Sequence, residues 1–232
     1  MKSLKEILAE NEIFLSEDKL KKFEKYYEIL VFYNEKINLT AITEREEVYI
    51  KHFCDSLIGI KYFNCENVDN LIDVGAGGGF PSVPILIAKE NIKGTLLEAT
   101  GKKCEFLKTV VKELDLKKVN VICDRAENAA KNPLYREKFD LCVSRAVAKL
   151  NTLTEYCLPF VKKGGDFIAY KGEVKEEIIE AENAIKILGG KIEKISETLL
   201  YGAKRTIIDI KKVSLTEKKY PRGNGKERKS PL

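Results

Sequence analysis

The stretch Asp73-Val74-Gly75-Ala76-Gly77-Gly78-Gly79-Phe80-Pro81 decides the fold of this chain. It follows the apolar run at residues 71–74 and precedes an apolar segment at residues 82–89, which predicts a strand, a glycine-rich turn and a helix. Glycine adopts positive φ without steric cost, so the backbone there can turn tightly and approach a ligand closely. The stretch therefore predicts a ligand site at the carboxyl end of the first strand of an α/β fold.

The glycine spacing distinguishes two classes of ligand. In nicotinamide-binding folds the third glycine lies three positions after the second, and Phe80 occupies that position here. An acid at the strand end followed by Gly75, Gly77 and Gly79 favours a nucleoside without pyrophosphate, such as S-adenosylmethionine. Asp73, Gly75 and Gly77 are accordingly predicted to bind this cofactor. A nicotinamide-dependent oxidoreductase stays the alternative among enzymes, and an ordinary turn the alternative without a ligand.

Two further segments extend this predicted cofactor site. Glu98 ends the second predicted strand, nineteen residues after Gly79, where an acid can bind both hydroxyls of a ribose. The other interpretation of Glu98 is a solvated acid that starts the next helix. After the third predicted strand, residues 124–127 pass the adenine end of such a ligand, so their backbone can bind the base.

Short apolar runs alternate with helical segments from residue 71 onward. The predicted strands lie at residues 71–74, 94–99, 119–123, 139–144 and 166–170, and helices are predicted at 82–89, 102–114, 151–158 and 174–188. Two last strands, at 191–200 and 205–213, form a hairpin. The pattern predicts an α/β fold with a mixed seven-stranded sheet and helices on both faces.

Three parts of the chain are distinguished by composition and pattern. Residues 1–66 have helical periodicity and predict an N-terminal helical extension, and residues 67–213 form the predicted catalytic domain. Residues 214–232 form a tail with six basic and two acidic side chains, a local charge of +4. Such a tail either contacts a polyanion such as RNA or is a solvated end of the chain.

Composition excludes several other classes of protein. With 44% apolar and 33% charged residues, the 232-residue chain is typical of a globular protein with a true core. It has no apolar run long enough for a membrane span, so a cytoplasmic protein without membrane contact is expected. The six cysteines are scattered without a close pair and predict neither a zinc site nor a disulfide. His52 is the only histidine, so no multi-histidine metal site is expected.

Three cations are candidates for the catalytic centre. Arg145 ends the fourth predicted strand, at the sheet edge where open α/β folds bind ligands, and Lys171 closes the fifth. Arg145 can meet a cofactor carboxylate, an RNA phosphate or an internal acid. For Lys171 a surface ion pair is the alternative to a substrate contact. Arg205, at the start of the last strand, is the third candidate for holding RNA phosphates.

Motifs spread over most of the chain resemble the RsmG family, also called GidB. They are Asn38-Leu39-Thr40-Ala41-Ile42, His52-Phe53-Cys54-Asp55-Ser56-Leu57, the glycine turn, Leu97-Glu98-Ala99, Arg125-Ala126-Glu127, Ser144-Arg145-Ala146-Val147-Ala148, Lys171-Gly172, Tyr220-Pro221-Arg222 and Pro231-Leu232. The resemblance implies a class I, Rossmann-like methyltransferase fold. It also implies methyl transfer from S-adenosylmethionine to guanine N7 in the 530 loop of 16S ribosomal RNA. The cofactor positions implied are Gly75, Phe80, Ala126, Glu127 and Arg145.

The implied reaction agrees with the lack of an obvious catalytic base. Guanine N7 carries an in-plane lone pair and no proton, so positioning should dominate catalysis. The implied partner is 16S RNA or the small ribosomal subunit, and a monomer is expected. His52 and Asp55 are predicted to share a hydrogen bond that supports the contact between the extension and the sheet. The non-enzymatic alternative is an RNA-binding assembly protein that keeps the fold.

Overall fold

The computed structural model describes residues 1–232, and a seven-stranded mixed sheet forms its centre. The strand order is β3-β2-β1-β4-β5-β7-β6. The strands are β1 (Asn70–Val74), β2 (Lys93–Glu98), β3 (Val119–Cys123), β4 (Phe139–Arg145), β5 (Val161–Lys171), β6 (Gly190–Leu200) and β7 (Ala203–Lys212). The first five are parallel, and β7 pairs antiparallel with both β5 and β6. This sheet confirms the predicted α/β fold class.

Ten α-helices accompany the sheet. They are α1 (Leu4–Glu10), α2 (Glu17–Ile37), α3 (Arg45–Val48), α4 (Asp55–Ile58), α5 (Ser82–Ala88), α6 (Gly101–Glu113), α7 (Ala126–Ala129), α8 (Leu150–Cys157), α9 (Lys175–Ile187) and α10 (Lys226–Lys229). A π-helical turn, Tyr49–Cys54, joins α3 to α4. No helix has both the length and the apolar character needed to cross a membrane.

The connectivity creates a crevice beside β1. The chain runs from β1 outward to β2 and β3, then returns to place β4 on the other side of β1. The loops after β1 and β4 therefore leave the sheet in opposite directions, and open α/β folds bind ligands at such a point. The glycine turn lies there because it follows directly on β1.

The N-terminal helices share one hydrophobic core with the sheet. A cluster of 35 buried residues includes Phe23 and Leu30 of α2, Phe53 of the π-helical turn, and Leu71 and Leu141 of the strands. The extension therefore cannot separate from the sheet without exposing part of that core.

The C-terminal tail is folded back onto α8 through polar contacts. Arg222 pairs with the almost fully buried carboxylate of Glu155, with Nη2 2.7 Å from Oε2 and Nε 3.0 Å from Oε1. Thr152 of α8 donates a hydrogen bond to the carbonyl of Glu227 at 2.9 Å. The Arg136 guanidinium donates to the carbonyls of Thr216, Glu217 and Tyr220. The tail is thus an ordered part of the fold.

The prediction that no disulfide forms is wrong at one pair, since Cys104 and Cys123 are joined. Cys123 of β3 is paired with Glu98 of β2 in the sheet register. Cys104 lies near the start of α6, the helix that follows β2, and so comes close to Cys123. The 19-residue separation hides this proximity in the sequence. The other four cysteines are buried thiols, in agreement with their predicted core positions.

The outer strand β6 is irregular. Its register with β7 shifts between Ile192 and Lys194, which is the pattern of a β-bulge. The side chains of Lys191, Glu193 and Lys194 are exposed along it.

Candidate active site

A cavity of about 560 Å³ opens at the crevice between β1 and β4. Its volume lies in the range of sites that bind nucleoside-sized ligands. The wall includes the glycine turn and residues of the loops after β2, β3 and β4. Among the lining residues are Leu39, Thr40, His52, Gly75, Gly77, Phe80, Glu98, Lys103, Asp124, Arg125, Ala126, Glu127, Arg145, Val147, Tyr156, Gly225 and Arg228.

Two positions of the turn require glycine, because the backbone has positive φ there and a Cβ would have no room. Gly75 has φ +77°, and a Cβ there would lie 2.5 Å from Cγ2 of Val147. Gly79 has φ +88°, and its Cβ would lie 2.5 Å from the hydroxyl oxygen of Tyr26. Gly77 also has positive φ, but a Cβ there would have only the Gly75 carbonyl nearby, at 3.8 Å. The backbone at Gly77 is therefore open to a ligand in the cavity.

Glu98 is buried, so its interpretation as a solvated acid is wrong. One carboxylate oxygen accepts a hydrogen bond from the Gly77 amide at 3.0 Å, and the other accepts one from the Thr100 amide at 2.8 Å. Each oxygen keeps a further lone pair, and the side chain lines the cavity. The two backbone bonds fix the carboxylate where a pair of neighbouring hydroxyls can bind it.

Asp73 does not line the cavity, which corrects its predicted role as a direct cofactor contact. The side chain is fully buried behind the turn and accepts hydrogen bonds from the Ser82 hydroxyl, at 2.5 Å, and the Ser82 amide, at 3.4 Å. Burial raises the pKa of Asp73 to about 7. Asp73 therefore ties the end of β1 to the start of α5 and supports the turn from behind.

Arg145 lines the cavity and is tied to the N-terminal extension. Its Nη1 lies 2.6 Å from Oδ2 of Asp55, whose carboxylate is buried. Arg205 binds the other oxygen of the same carboxylate. Asp55 thus holds two of the three predicted catalytic cations, but only Arg145 reaches the cavity wall. The prediction that Arg205 contacts substrate is not supported, because its side chain pairs with Asp55 and does not line the cavity.

Lys171 also stands apart from the cavity. Its ammonium donates hydrogen bonds to the Ala148 carbonyl and to the Glu177 carboxylate, each at 2.7 Å. The ammonium is mostly buried among these acceptors. Its position agrees with the alternative of an ion pair, and Lys171 joins the loop after β4 to α9 instead of contacting substrate.

His52 forms part of the cavity wall in its neutral form. Its ring stacks on Phe80 with centroids 4.5 Å apart, and Nε2 lies 2.8 Å from the Thr40 hydroxyl. Burial lowers the pKa of His52 to about 3, and the nearby Arg145 guanidinium acts in the same direction. The predicted hydrogen bond between His52 and Asp55 is absent; both residues instead contact Arg145. The prediction that they join the extension to the sheet agrees with this arrangement.

The far end of the cavity contains both predicted and unpredicted residues. Ala126 and Glu127 line it at the start of α7, as the sequence suggested. Gly225 and Arg228 of the tail, together with Tyr156 of α8, line the same end and were not predicted. The position of the tail at this cavity is therefore a finding of the structure. The charge of the tail did not indicate its contact with the cavity, because the tail is held there through Arg222 by the buried Glu155 of α8, 67 residues away in sequence.

Solved structures place this architecture in a known class. The structure of TYW2 from M. jannaschii in complex with AdoMet matches with a TM-score of 0.54 and 16% identity, covering 68% of this chain and 77% of that one. A SAM-dependent methyltransferase from Aquifex aeolicus matches with a TM-score of 0.53 and 18% identity, covering 70% and 92%. The fold is that of the class I methyltransferases.

The sequence comparison identifies the family within that class. The model of the GidB family, rRNA small subunit methyltransferase G, matches residues 19–207. Ribosomal RNA small subunit methyltransferase G of Brevibacillus brevis is 45% identical over 230 residues, covering 98% of this chain and 97% of the relative. The corresponding protein of Lachnoclostridium phytofermentans is 48% identical over 221 residues, covering 94% and 91%. The chain belongs to this family, which confirms the predicted resemblance.

Membership also confirms the predicted enzyme class, an S-adenosylmethionine-dependent rRNA methyltransferase. The cavity fits that cofactor on structural grounds. The open backbone at Gly77 and the two fixed oxygens of Glu98 suit a nucleoside, and the wall supplies no group of acidic, cysteine or histidine residues for a metal. Membership of the methyltransferase family replaces the nicotinamide alternative.

Proposed function

We propose that this chain methylates N7 of a guanine in the 530 loop of 16S ribosomal RNA. The observation that supports this reaction most directly is the state of the cavity wall beside Arg145. His52 is the side chain there whose usual pKa suits a base at neutral pH, but it is stacked on Phe80 and its lowered pKa of about 3 makes it a weak proton acceptor. N7 attacks without losing a proton, so a wall that positions the base is sufficient for this chemistry.

The chain's own residues divide the work between holding the cofactor and holding the base. Glu98 and the amides of the glycine turn hold the nucleoside, and Ala126 and Glu127 lie at its adenine end. S-adenosylmethionine supplies the electrophilic methyl group. Arg145, fixed by Asp55, presents a guanidinium beside Phe80, with its Cζ 5.1 Å from the ring centroid. We assign Arg145 to the methionyl carboxylate of the cofactor or to a phosphate of the target nucleotide.

The target guanine is proposed to enter between the N-terminal helices and the loop after β4. Leu39, Thr40 and His52 line this side of the cavity. The aromatic faces of His52 and Phe80 and the Thr40 hydroxyl suit an unstacked base, which single-stranded RNA loops present readily. Target recognition would then depend on the extension, while cofactor binding depends on the sheet.

Two cations at the rim are better placed for RNA phosphates than Lys171 and Arg205. Lys103 and Arg125 line the cavity, and no carboxylate lies within 4.0 Å of either charged group. Arg125 is exposed. Contacts of this kind weaken as salt concentration rises. A cytoplasmic location is part of this proposal, because 16S RNA is found in that compartment, and the monomeric state stays a prediction.

The test is methyl transfer from radiolabelled S-adenosylmethionine to 16S RNA, offered free, in assembly intermediates and in the complete small subunit. We expect one labelled guanine in the 530 loop, with the label at N7, as read by chain cleavage at N7-methylguanine. A His52→Gln variant removes an aromatic face but no proton acceptor, so its loss of activity should not vary with pH. Label at another nucleotide or atom would contradict the proposed target. RNA binding without transfer to any of the three substrates would favour an assembly protein.

A further inference from the structure

The C-terminal segment that follows Pro221 reaches the cofactor cavity. Gly225 and Arg228 line the same cavity as Glu127 and Tyr156. The backbone at Gly223 packs on Glu127, since a Cβ on Gly223 would lie 4.0 Å from Cγ of Glu127. The segment therefore borders the end of the cavity that α7 forms from the other side.

The position of this segment is set by buried anchors. Arg222 pairs with Glu155, whose side chain is only 1% exposed, and Glu227 is fully buried. Glu227 accepts a hydrogen bond from the Gly223 amide through its side chain and one from Thr152 through its carbonyl. These contacts come from both ends of the segment, so residues 223–227 are held as a closed loop against α8. Arg228 follows Glu227 in the short helix α10.

Arg228 differs in its surroundings from the other arginines of this region. Arg222 pairs with Glu155, and Arg136 donates to backbone carbonyls. No carboxylate lies within 4.0 Å of the Arg228 guanidinium, which lies beside the Tyr156 hydroxyl at the cavity. A planar guanidinium with uncommitted donors suits the ring nitrogens and the face of a purine.

We infer that the C-terminal segment completes the cofactor site and that Arg228 binds the adenine end of S-adenosylmethionine. The segment acts as a wall beside α7, and Arg228 supplies a contact that the sheet does not. This role is separate from RNA binding and from transfer of the methyl group. It rests on the same cofactor as the proposed function, but it is testable without RNA.

The test is isothermal titration of S-adenosylmethionine into the full chain without RNA. Arg228→Ala should raise the dissociation constant about tenfold, which corresponds to about 1.4 kcal/mol. Lys229→Ala is the matched control, because it removes a neighbouring exposed cation that does not line the cavity. It should change the dissociation constant less than twofold. Arg228→Lys keeps the charge without the planar donors and should fall between them.

Thermal unfolding and RNA binding complete the test. Arg228→Ala should keep the melting temperature of the wild type, since its side chain is exposed and forms no ion pair. An unchanged cofactor affinity in this folded variant would overturn the inference. So would an unchanged affinity combined with a weaker salt dependence of RNA binding, which would assign Arg228 to phosphates. If the wild-type chain bound the cofactor normally but transferred no methyl group to RNA, that result would contradict the proposed target and not the role of Arg228.

Discussion

The two ends of the cofactor cavity are closed by opposite kinds of interaction. On the side of the N-terminal helices, Phe53 packs within 5.0 Å of Phe23 and 5.2 Å of Tyr26 between ring centroids, and Tyr26 in turn stacks near Phe80. On the side of the tail, Arg222 pairs with the buried Glu155 and Arg136 donates to tail carbonyls, while Tyr220 is the tail side chain buried in a hydrophobic cluster. The first wall is continuous with the hydrophobic core, whereas the second depends on a few charged groups. Damage to the first should therefore cost global stability, and damage to the second should release the tail.

The largest expected effect comes from breaking the aromatic wall. Phe53→Ala should lower the free energy of unfolding by about 3 to 5 kcal/mol, because it removes a fully buried aromatic side chain and leaves a cavity. Phe32→Ala is the control, since Phe32 is 54% exposed and should cost less than about 0.5 kcal/mol. Urea denaturation measures both variants. Equal losses in the two would remove the distinction between a core wall and a surface helix.

A pH-dependent effect on stability is expected from Asp73, which is buried behind the glycine turn. The pKa of Asp73 is raised to about 7 in the folded chain and is about 4 when unfolded, so the folded state binds the extra proton between these values. The contribution of Asp73 to the free energy of unfolding should therefore fall by about 1.4 kcal/mol per pH unit as pH rises from 4 to 7. This dependence should be absent in Asp73→Asn. Urea titrations at several pH values give the difference between the two proteins, and parallel profiles would contradict the assignment.

Glu98→Ala tests the carboxylate that is proposed to hold the nucleoside in the cavity. The variant should weaken S-adenosylmethionine binding by about 1 to 3 kcal/mol, because a charged acceptor of hydrogen bonds is removed. Glu105→Ala, on the exposed side of α6, is the control and should bind normally. Isothermal titration provides the measurement. An unchanged affinity in a folded Glu98→Ala variant would leave the carboxylate a purely structural role.

Glu155→Gln tests the polar wall alone. The amide keeps the shape of the side chain but removes the charge that holds Arg222, so the interaction of the tail with α8 should weaken by about 1 to 1.5 kcal/mol. Limited proteolysis should then cut within residues 214–232 faster than in the wild type. Glu176→Gln alters an exposed acid on α9 and should leave the cleavage rate unchanged. Faster cleavage elsewhere in the chain, with the tail protected, would mean that Glu155 supports the core instead.

The smallest effect concerns the exposed lysines of the tail. Lys218, Lys219, Lys226 and Lys229 are exposed, whereas Arg222 is committed to Glu155. Changing these four lysines to alanine should flatten the salt dependence of RNA binding, by roughly 0.7 in slope for each phosphate that is no longer neutralised. Cofactor affinity should stay the same, in contrast to the effect of Arg228→Ala. A salt slope equal to that of the wild type would make these lysines solubilising surface.

Local patterns in the sequence were sufficient to predict the strands of the sheet and the segments at their carboxyl ends. The glycine turn, Glu98 and Arg145 lie at the carboxyl ends of the strands to which their sequence positions assigned them. The four-residue α7 was missed because it is too short to show a helical period. The division of the chain at residues 66 and 213 stays a prediction.

Long-range pairing explains the remaining differences. Arg205 and Lys171 were assigned to substrate by their positions at strand ends, but the structure pairs them with Asp55 and Glu177. Asp55 lies 150 residues from Arg205 and Glu155 lies 67 from Arg222, distances over which spacing carries no information. The tail's contribution to the cavity depends on the second of these pairs.

The irregular outer strand β6 has a consequence for the behaviour of the protein at high concentration. A sheet edge exposes unpaired amides and carbonyls, and a flat edge of this kind recruits strands from other molecules. Here the bulge between Ile192 and Lys194 bends the edge, and the exposed charges of Lys191, Glu193 and Lys194 would have to be dehydrated against an incoming strand. The same hairpin that completes the sheet therefore also protects it from fibrous aggregation.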